Sequence, residues 1–351
     1  MTSRERILNL LEGKPVDRSP AMPITMMWAA DLIGAKYHDY ATRAEVQAAG
    51  QLAAARQFGF DHVSVISDPC CEAADLGAVV FYPPDGPPAI VEEQALLADP
   101  IALHQMHAPN PHQPDSRMAN RIEAVRLLRR QAGDTHFVEG WVEGPCAESA
   151  DLRGINTLMM DYYDDPEFIH ALAAFTVEVA LKFATAQIEA GADIIGVGDA
   201  AASLIGRELY EEFVFPHEQK LVDGIHAAGG RVRLHICGRT QQLAGAMAKL
   251  GCEIVDLDTP VDLYAARAAM GDRQVLLGNI HTVNVVKNGT PDDVRQALAA
   301  CRAAAGAEWI AGAGCEVPRH SPAENVRCFA DCRRSAGLPP AATRPTETRE
   351  I

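Results

Sequence analysis

The sequence predicts a closed (β/α)8 barrel of the TIM type. Three observations predict it. Short apolar runs alternate with helical-period segments from residue 43 onward, and two weak early strands bring the count to eight. Polar residues able to do chemistry fall just after those runs, where such barrels carry their reactive groups. No break in composition marks a second domain in 351 residues, so residues 1–338 are expected to form one barrel domain.

The elements follow in order. Ile7, Leu8, Leu10 and Leu11 make a helical stripe over Ser3 to Leu11, with Ser3 as the expected cap, and this helix should plug or flank the core. Gly13-Lys14-Pro15 breaks it. Ser19 to Thr25, which contains Pro20 and Pro23, is the weak first strand, and Met26-Met27-Trp28 forms a hydrophobic rim at its mouth. Helix Arg43 to Phe58 ends at Gly59, and strand Asp61 to Ser67 leads to Asp68. Residues 83–118 are a turn-rich excursion that reads equally as a lid, an added hairpin or a surface insertion.

Helix Met118 to Ala132 then precedes strand His136 to Val142 and a break at Gly144-Pro145. A long helix, Pro166 to Ala190, carries Phe168, Leu172, Phe175, Val179 and Phe183 at core spacing and stops at Gly191, before strand Asp193 to Gly198. Helix Glu208 to Ala228 precedes strand Arg231 to Ile236. Three further helix-strand units follow: Gln241 to Leu250 with Glu253 to Leu257, Val261 to Ala269 with Gln274 to Gly278, and Pro291 to Ala304 with Trp309 to Ala313. A last helix, Pro322 to Ala336, precedes a polar tail, residues 339–351, that reads as disordered.

Composition excludes some functions. A formal charge of −16 opposes binding to nucleic acid or to anionic membrane, since affinity for phosphate comes largely from Lys and Arg. No run of 18 apolar residues and no signal-like N-terminal segment is found, so a cytoplasmic protein is expected. Nine cysteines in such a chain are reduced thiols, some of them ligands, rather than a disulfide framework.

The strand Arg231 to Gly238 carries the strongest chemical signal. Alternation puts His235 and Cys237 on one face, while Val232, Leu234 and Ile236 form an apolar stripe on the other. Cys315, in Ala313-Gly314-Cys315-Glu316, ends another apolar run. On a closed barrel these three would meet at one mouth as a Cys2His set, which suits zinc with its fourth position left for substrate. Cys252, Cys301, Cys328 and Cys332 read as packing residues. Two thiolate ligands keep charge on a metal and leave a bound substrate thiolate nucleophilic, which favours alkyl transfer over hydrolysis.

Several segments together resemble the uroporphyrinogen decarboxylase superfamily. They are Arg4-Glu5-Arg6-Ile7-Leu8 to Gly13-Lys14-Pro15-Val16-Asp17-Arg18, Gly144-Pro145, Asp165-Pro166-Glu167, His235-Ile236-Cys237-Gly238, Gly278-Asn279-Ile280 and Gly312-Ala313-Gly314-Cys315-Glu316-Val317-Pro318. The His-x-Cys with a distant Cys is similar to the zinc-dependent corrinoid methyltransferase branch. That resemblance implies a barrel with zinc on His235, Cys237 and Cys315, and methyl transfer from methylcobalamin or a corrinoid protein partner to coenzyme M, another thiol or tetrahydrofolate. The decarboxylase branch implies an arginine-rich loop after the first strand, and residues 25–36 hold no arginine; porphyrinogen decarboxylation, with Asp68 in the place of the catalytic aspartate, is therefore the first alternative. A non-catalytic corrinoid-binding barrel is the second.

Around this set, Asp199, Glu143 and Asn279 are the candidate catalytic residues. Asp199 or Glu143 reads either as a fourth, displaceable zinc ligand or as a carboxylate bonded to loop amides. Asp256, Asp258 and His281 are candidates to orient the acceptor or the corrin ring, and Glu316 to fix His235.

Overall fold

The computed structural model describes residues 1–331. The expected tail 339–351, Cys332 and the end of the expected last helix at Ala336 lie outside the described residues. Among the described residues nine strands form, numbered in chain order: β1 His62–Ser64, β2 Val80–Phe81, β3 Ala89–Ile90, β4 Phe137–Glu143, β5 Ile194–Gly198, β6 Val232–Ile236, β7 Ile254–Leu257, β8 Val275–Leu277 and β9 Trp309–Ile310. Seven make one parallel sheet in the order β1-β4-β5-β6-β7-β8-β9, while β2 pairs antiparallel with β3. Parallel neighbours need a crossover, and helices supply it: Arg117–Ala132 leads into β4, Pro166–Glu189 into β5, Phe215–Ala227 into β6 and Pro291–Ala305 into β9. Alternate strand residues such as Val63, Val138, Val197, Leu234 and Leu276 face these helices in the main core. The result is a TIM-barrel-like α/β fold with a curled seven-stranded sheet.

The expected first strand, Ser19 to Thr25, does not form as a strand. It makes one parallel bridge, Ala21 to Ala311. Its backbone still reaches both sheet edges: Met22 N–H donates to Ala311 O, Ala311 N–H to Pro20 O and Asp61 N–H to Ala21 O. Pro20 and Pro23 lack the donors that would extend these contacts into a ladder.

The first helix, Ser3–Leu11, is capped by Thr2 and not Ser3, through a capping box with Glu5. It plugs one end of the sheet, where Ile7 and Leu10 pack with Met22, Phe137, Ile194 and Ile254. Phe137, Ile194 and Ile254 are the first residues of β4, β5 and β7, so the plug closes the N-terminal end and leaves the C-terminal end for chemistry.

Elsewhere the pattern is more broken than its periodicity suggests. The expected helix 208–228 is split by a π-helical turn, Tyr210–Val214, and 241–250 is reduced to a 3-10 turn and Ala244–Met247. Pro145 begins a helix, Pro145–Arg153, followed by Ile155–Asp164, because proline is tolerated in a first helical turn. Short helices Met26–Leu32, Tyr37–Thr42 and Cys71–Leu76 cover too few residues to show a period, and in the first of them Trp28 is buried rather than a rim residue. The excursion contains β3, which pairs back onto β2 just before it, and two 3-10 turns. Among the described residues Pro166–Glu189 is long and apolar enough to cross a bilayer, but its Phe168, Leu172 and Phe183 are spent on the core.

Candidate metal centre

Strand β6 sets the site by alternation. Val232, Leu234 and Ile236 pack outward, so Arg233 and His235 face the interior. Gly238 follows Cys237 at φ +85, a conformation that favours glycine, and its N–H donates to Asp258 Oδ2 at 2.6 Å. Cys315 arrives on a segment whose close approach needs glycine: a Cβ on Gly314 would strike Thr259, and one on Gly312 would strike Leu277.

The three predicted ligands converge. Their donor atoms all lie within 4.8 Å of one another, with Cys237 Sγ 3.2 Å from His235 Nε2 and 4.0 Å from Cys315 Sγ. A tetrahedral ion with Zn–S of about 2.3 Å sets its sulfurs about 3.8 Å apart, so the set fits zinc with little movement. The protonation state points the same way. The Cys237 thiol and the imidazole of His235 together pull the Cys315 sulfur down to about 4, whereas its hydrogen bond to Cys315, followed by burial, pushes Cys237 up. Burial depresses His235, yet Asp256 and Cys237 outweigh it and hold the imidazole well above its ordinary value. Metal would displace protons from a cluster already built to share charge.

Below the ligands lies a buried chain of charge. Asp256 Oδ2 is 3.2 Å from His235 Nδ1, which leaves Nε2 toward the two sulfurs. Arg233, fully buried, donates to Asp256 at 2.6 and 3.1 Å and to Glu139 of β4 at 3.0 and 3.2 Å, and Glu139 lies 3.7 Å from His62 of β1. Asp256 is thus the carboxylate that stands against the His235 ring. Glu316 accepts from Met27 N–H at 2.7 Å, and burial lifts it to about 7. Sequence reasoning missed Arg233 and Glu139. The alternation that put His235 inward also put Arg233 there, two residues earlier.

The remaining candidates sit nearby but outside the ligand cluster. Asp199 is fully buried and accepts from Ala147 N–H at 2.6 Å and Cys146 N–H at 3.4 Å, holding the start of helix Pro145–Arg153; burial lifts it to about 6. Glu143 accepts from Trp141 Nε1 at 3.0 Å, and burial, then Glu72 and Asp151, push its carboxyl well up. Asn279 donates to Asp258 O and Val261 O, tying the loop after β7 to the end of β8. Asp258 accepts from Gly238 and Thr259 amides, and His281 Nδ1 caps the turn Thr282–Lys287. Asp68 is engaged by Arg117 at 2.7 Å and by Ser67 and Cys70.

Comparison with known proteins bears on this geometry. The chain is 26% identical over 340 residues to methylcobamide:CoM methyltransferase MtbA of Methanosarcina mazei, covering 95% of this chain and 98% of that one. It is 28% identical over 320 residues to a uroporphyrinogen decarboxylase of Alkalilimnicola ehrlichii, covering 84% and 83%. A solved methyltransferase from Methanosarcina mazei superposes with a TM-score of 0.85 at 22% identity, over 95% of this chain and 98% of that chain, which supports the fold. The sequence profile described as uroporphyrinogen decarboxylase (URO-D) matches residues 2–336, and the chain therefore belongs to the uroporphyrinogen decarboxylase family.

Proposed function

We propose that the protein is a zinc-dependent methyltransferase that moves a methyl group from a methylated corrinoid, free or on a partner protein, to a thiol. The observation that carries this reading is the convergence of His235, Cys237 and Cys315 at the C-terminal end of the sheet. The methylcobamide:CoM methyltransferase named above, which matches nearly end to end, supports it. When bound, zinc would supply a Lewis acid that keeps the acceptor sulfur as a thiolate at neutral pH.

The chain's own residues do the rest. Cys237 and Cys315 provide anionic sulfur, and His235 is held by Asp256 with Nε2 forward. The acceptor S–H proton leaves to solvent, the sulfur lone pair forms the new S–C bond, and the Co–C bond breaks with its electron pair left on cobalt. A thiol acceptor uses a Cys2His site more directly than tetrahydrofolate, whose accepting nitrogen is neutral. Porphyrinogen decarboxylation is less well supported: residues 25–36 are a helix-containing segment without arginine, and Asp68 is already paired.

The test follows methylcobalamin absorbance with zinc-loaded protein against a panel of thiols and tetrahydrofolate. Consumption with thiols, abolished by chelator and restored by zinc, is expected. Full activity without metal, or turnover with tetrahydrofolate alone, would overturn the reading.

A further inference from the structure

Cys237 follows β6 and Cys315 follows β9, three strands further along the sheet, yet Cys237 Sγ lies 4.0 Å from Cys315 Sγ. Both are free thiols and both are only half-buried, so a small molecule in solution can reach them. The other cysteines are engaged or enclosed. Cys146 Sγ is 3.3 Å from Tyr162 OH, Cys301 Sγ donates to Asn279 Oδ1 at 3.7 Å and Cys328 Sγ to Glu324 O at 3.3 Å, while Cys70, Cys71 and Cys252 are buried.

The backbone keeps this sulfur pair aligned without help from a metal. Gly238 N–H donates to Asp258 Oδ2 at 2.6 Å, and Gly314 N–H donates to Ile280 O at 2.9 Å. Asp258 follows β7 and Ile280 follows β8, the two strands that stand between β6 and β9, and Ile280 also bridges Ala313. Each cysteine therefore has a neighbour tied to the segment that separates them. With the backbones anchored, side-chain rotation is left to close the gap. Shortening 4.0 Å to the roughly 2 Å of a disulfide moves each sulfur by about 1 Å, less than a change of χ1 rotamer supplies.

We propose that Cys237 and Cys315 form a reversible disulfide on exposure to a peroxide, and that this bond switches the metal centre off. The effect on activity rests on the zinc-dependent methyl-transfer reading above, whereas the sulfur pairing needs no metal. One thiolate attacks a peroxide oxygen, the O–O bond breaks, and an S–OH group forms as hydroxide or an alkoxide leaves. The second thiolate attacks that sulfur, the S–S bond forms, and hydroxide leaves. Two electrons pass from the sulfurs to the peroxide. His235 is then the one member of the donor set still able to bind, too few to retain zinc.

A small thiol reverses the step by exchange. Its thiolate attacks one sulfur, a second thiolate frees the mixed disulfide, and both cysteines return reduced with the small thiol oxidised to its own disulfide. A thiol acceptor therefore resets the centre that uses it, and methyl transfer is tied to a reduced thiol pool.

The test treats zinc-loaded protein with hydrogen peroxide while a chromophoric chelator reports free zinc against a peroxide-free control. The product is digested without reductant and mapped by mass spectrometry. Release of about one zinc per chain, a peptide cross-linked between Cys237 and Cys315, and return of both free thiols after 2-mercaptoethanol are expected. Metal-free protein treated in the same way should give the same cross-link. In Cys315→Ser the cross-link should vanish and dimedone should tag Cys237 as the S–OH. Zinc release with the sulfurs carried on to sulfinic acid, cross-links to other cysteines alone, or no cross-link from the metal-free protein would overturn the proposal. None of these measurements contains a methyl donor. Failure of the methyl-transfer reading shows separately, as methylcobalamin left unconsumed by fully reduced, zinc-loaded protein.

Discussion

Replacing Arg233 with methionine tests the buried charge chain beneath the candidate metal ligands. Arg233 is fully buried and makes four charge-assisted hydrogen bonds, two to Asp256 and two to Glu139. Removing one partner of a buried ion pair costs about 3–5 kcal/mol, because the charge left behind has neither water nor a counter-ion. Asp256 would retain His235 at 3.2 Å, but Glu139 would keep only His62 at 3.7 Å, which burial holds neutral with a pKa of about 4. Glu139 should therefore carry most of the loss, and Arg233→Met should destabilise the fold by about 4 kcal/mol. Urea unfolding of the zinc-free protein measures it. The double variant Arg233→Met/Glu139→Gln removes the stranded charge and should recover about half of that loss. A single-variant loss below about 1 kcal/mol, or a double variant no more stable than the single, would refute the reasoning.

Three further outcomes follow from the same geometry. Asp256→Asn should weaken zinc binding by about 10- to 100-fold, read by competition with a chromophoric chelator, since His235 loses the anion that orients it; an unchanged affinity contradicts that role. Cys237→Ala and Cys315→Ala should each leave purified protein with less than about a tenth of the zinc found in the parent, measured by elemental analysis, while Cys252→Ala should not. The last concerns acid. Burial lowers His62 from its ordinary 6.5 to about 4, so the unfolded chain binds the extra proton first; this stability is present above pH 6.5 and is lost as pH falls toward 4. The loss amounts to about 3 kcal/mol, and His62→Gln should flatten the fall in urea midpoints across that window.

The three candidate ligands could be seen in the sequence because His235 and Cys237 obey the period of a strand and Cys315 ends another apolar run. The helices from Ala44 to Phe58 and from Pro291 to Ala305 were equally legible, each with a glycine just past its end. Arg233 was not, because alternation cannot tell a polar interior from solvent. A charged residue every second position reads as an outward face, and only the neighbouring strands reveal Glu139 and Asp256 waiting for it. For the same reason alternation alone offers Asp256 to the acceptor or the corrin ring and does not show the His235 ring 3.2 Å from it. Glu72 and Asp151, whose charges act on Glu143, sit on short helices whose few residues show no period. The strand expected at Ser19 to Thr25 failed at its prolines, although its backbone still reaches both edges of the sheet.

X-ray absorption at the zinc edge, on purified protein before and after addition of a small thiol such as 2-mercaptoethanol, tests the account's central claim most directly. The account predicts two sulfurs at about 2.3 Å with nitrogen or oxygen completing the shell, and a third sulfur once the thiol is present. A shell without sulfur, or one that the thiol leaves unchanged, would contradict it.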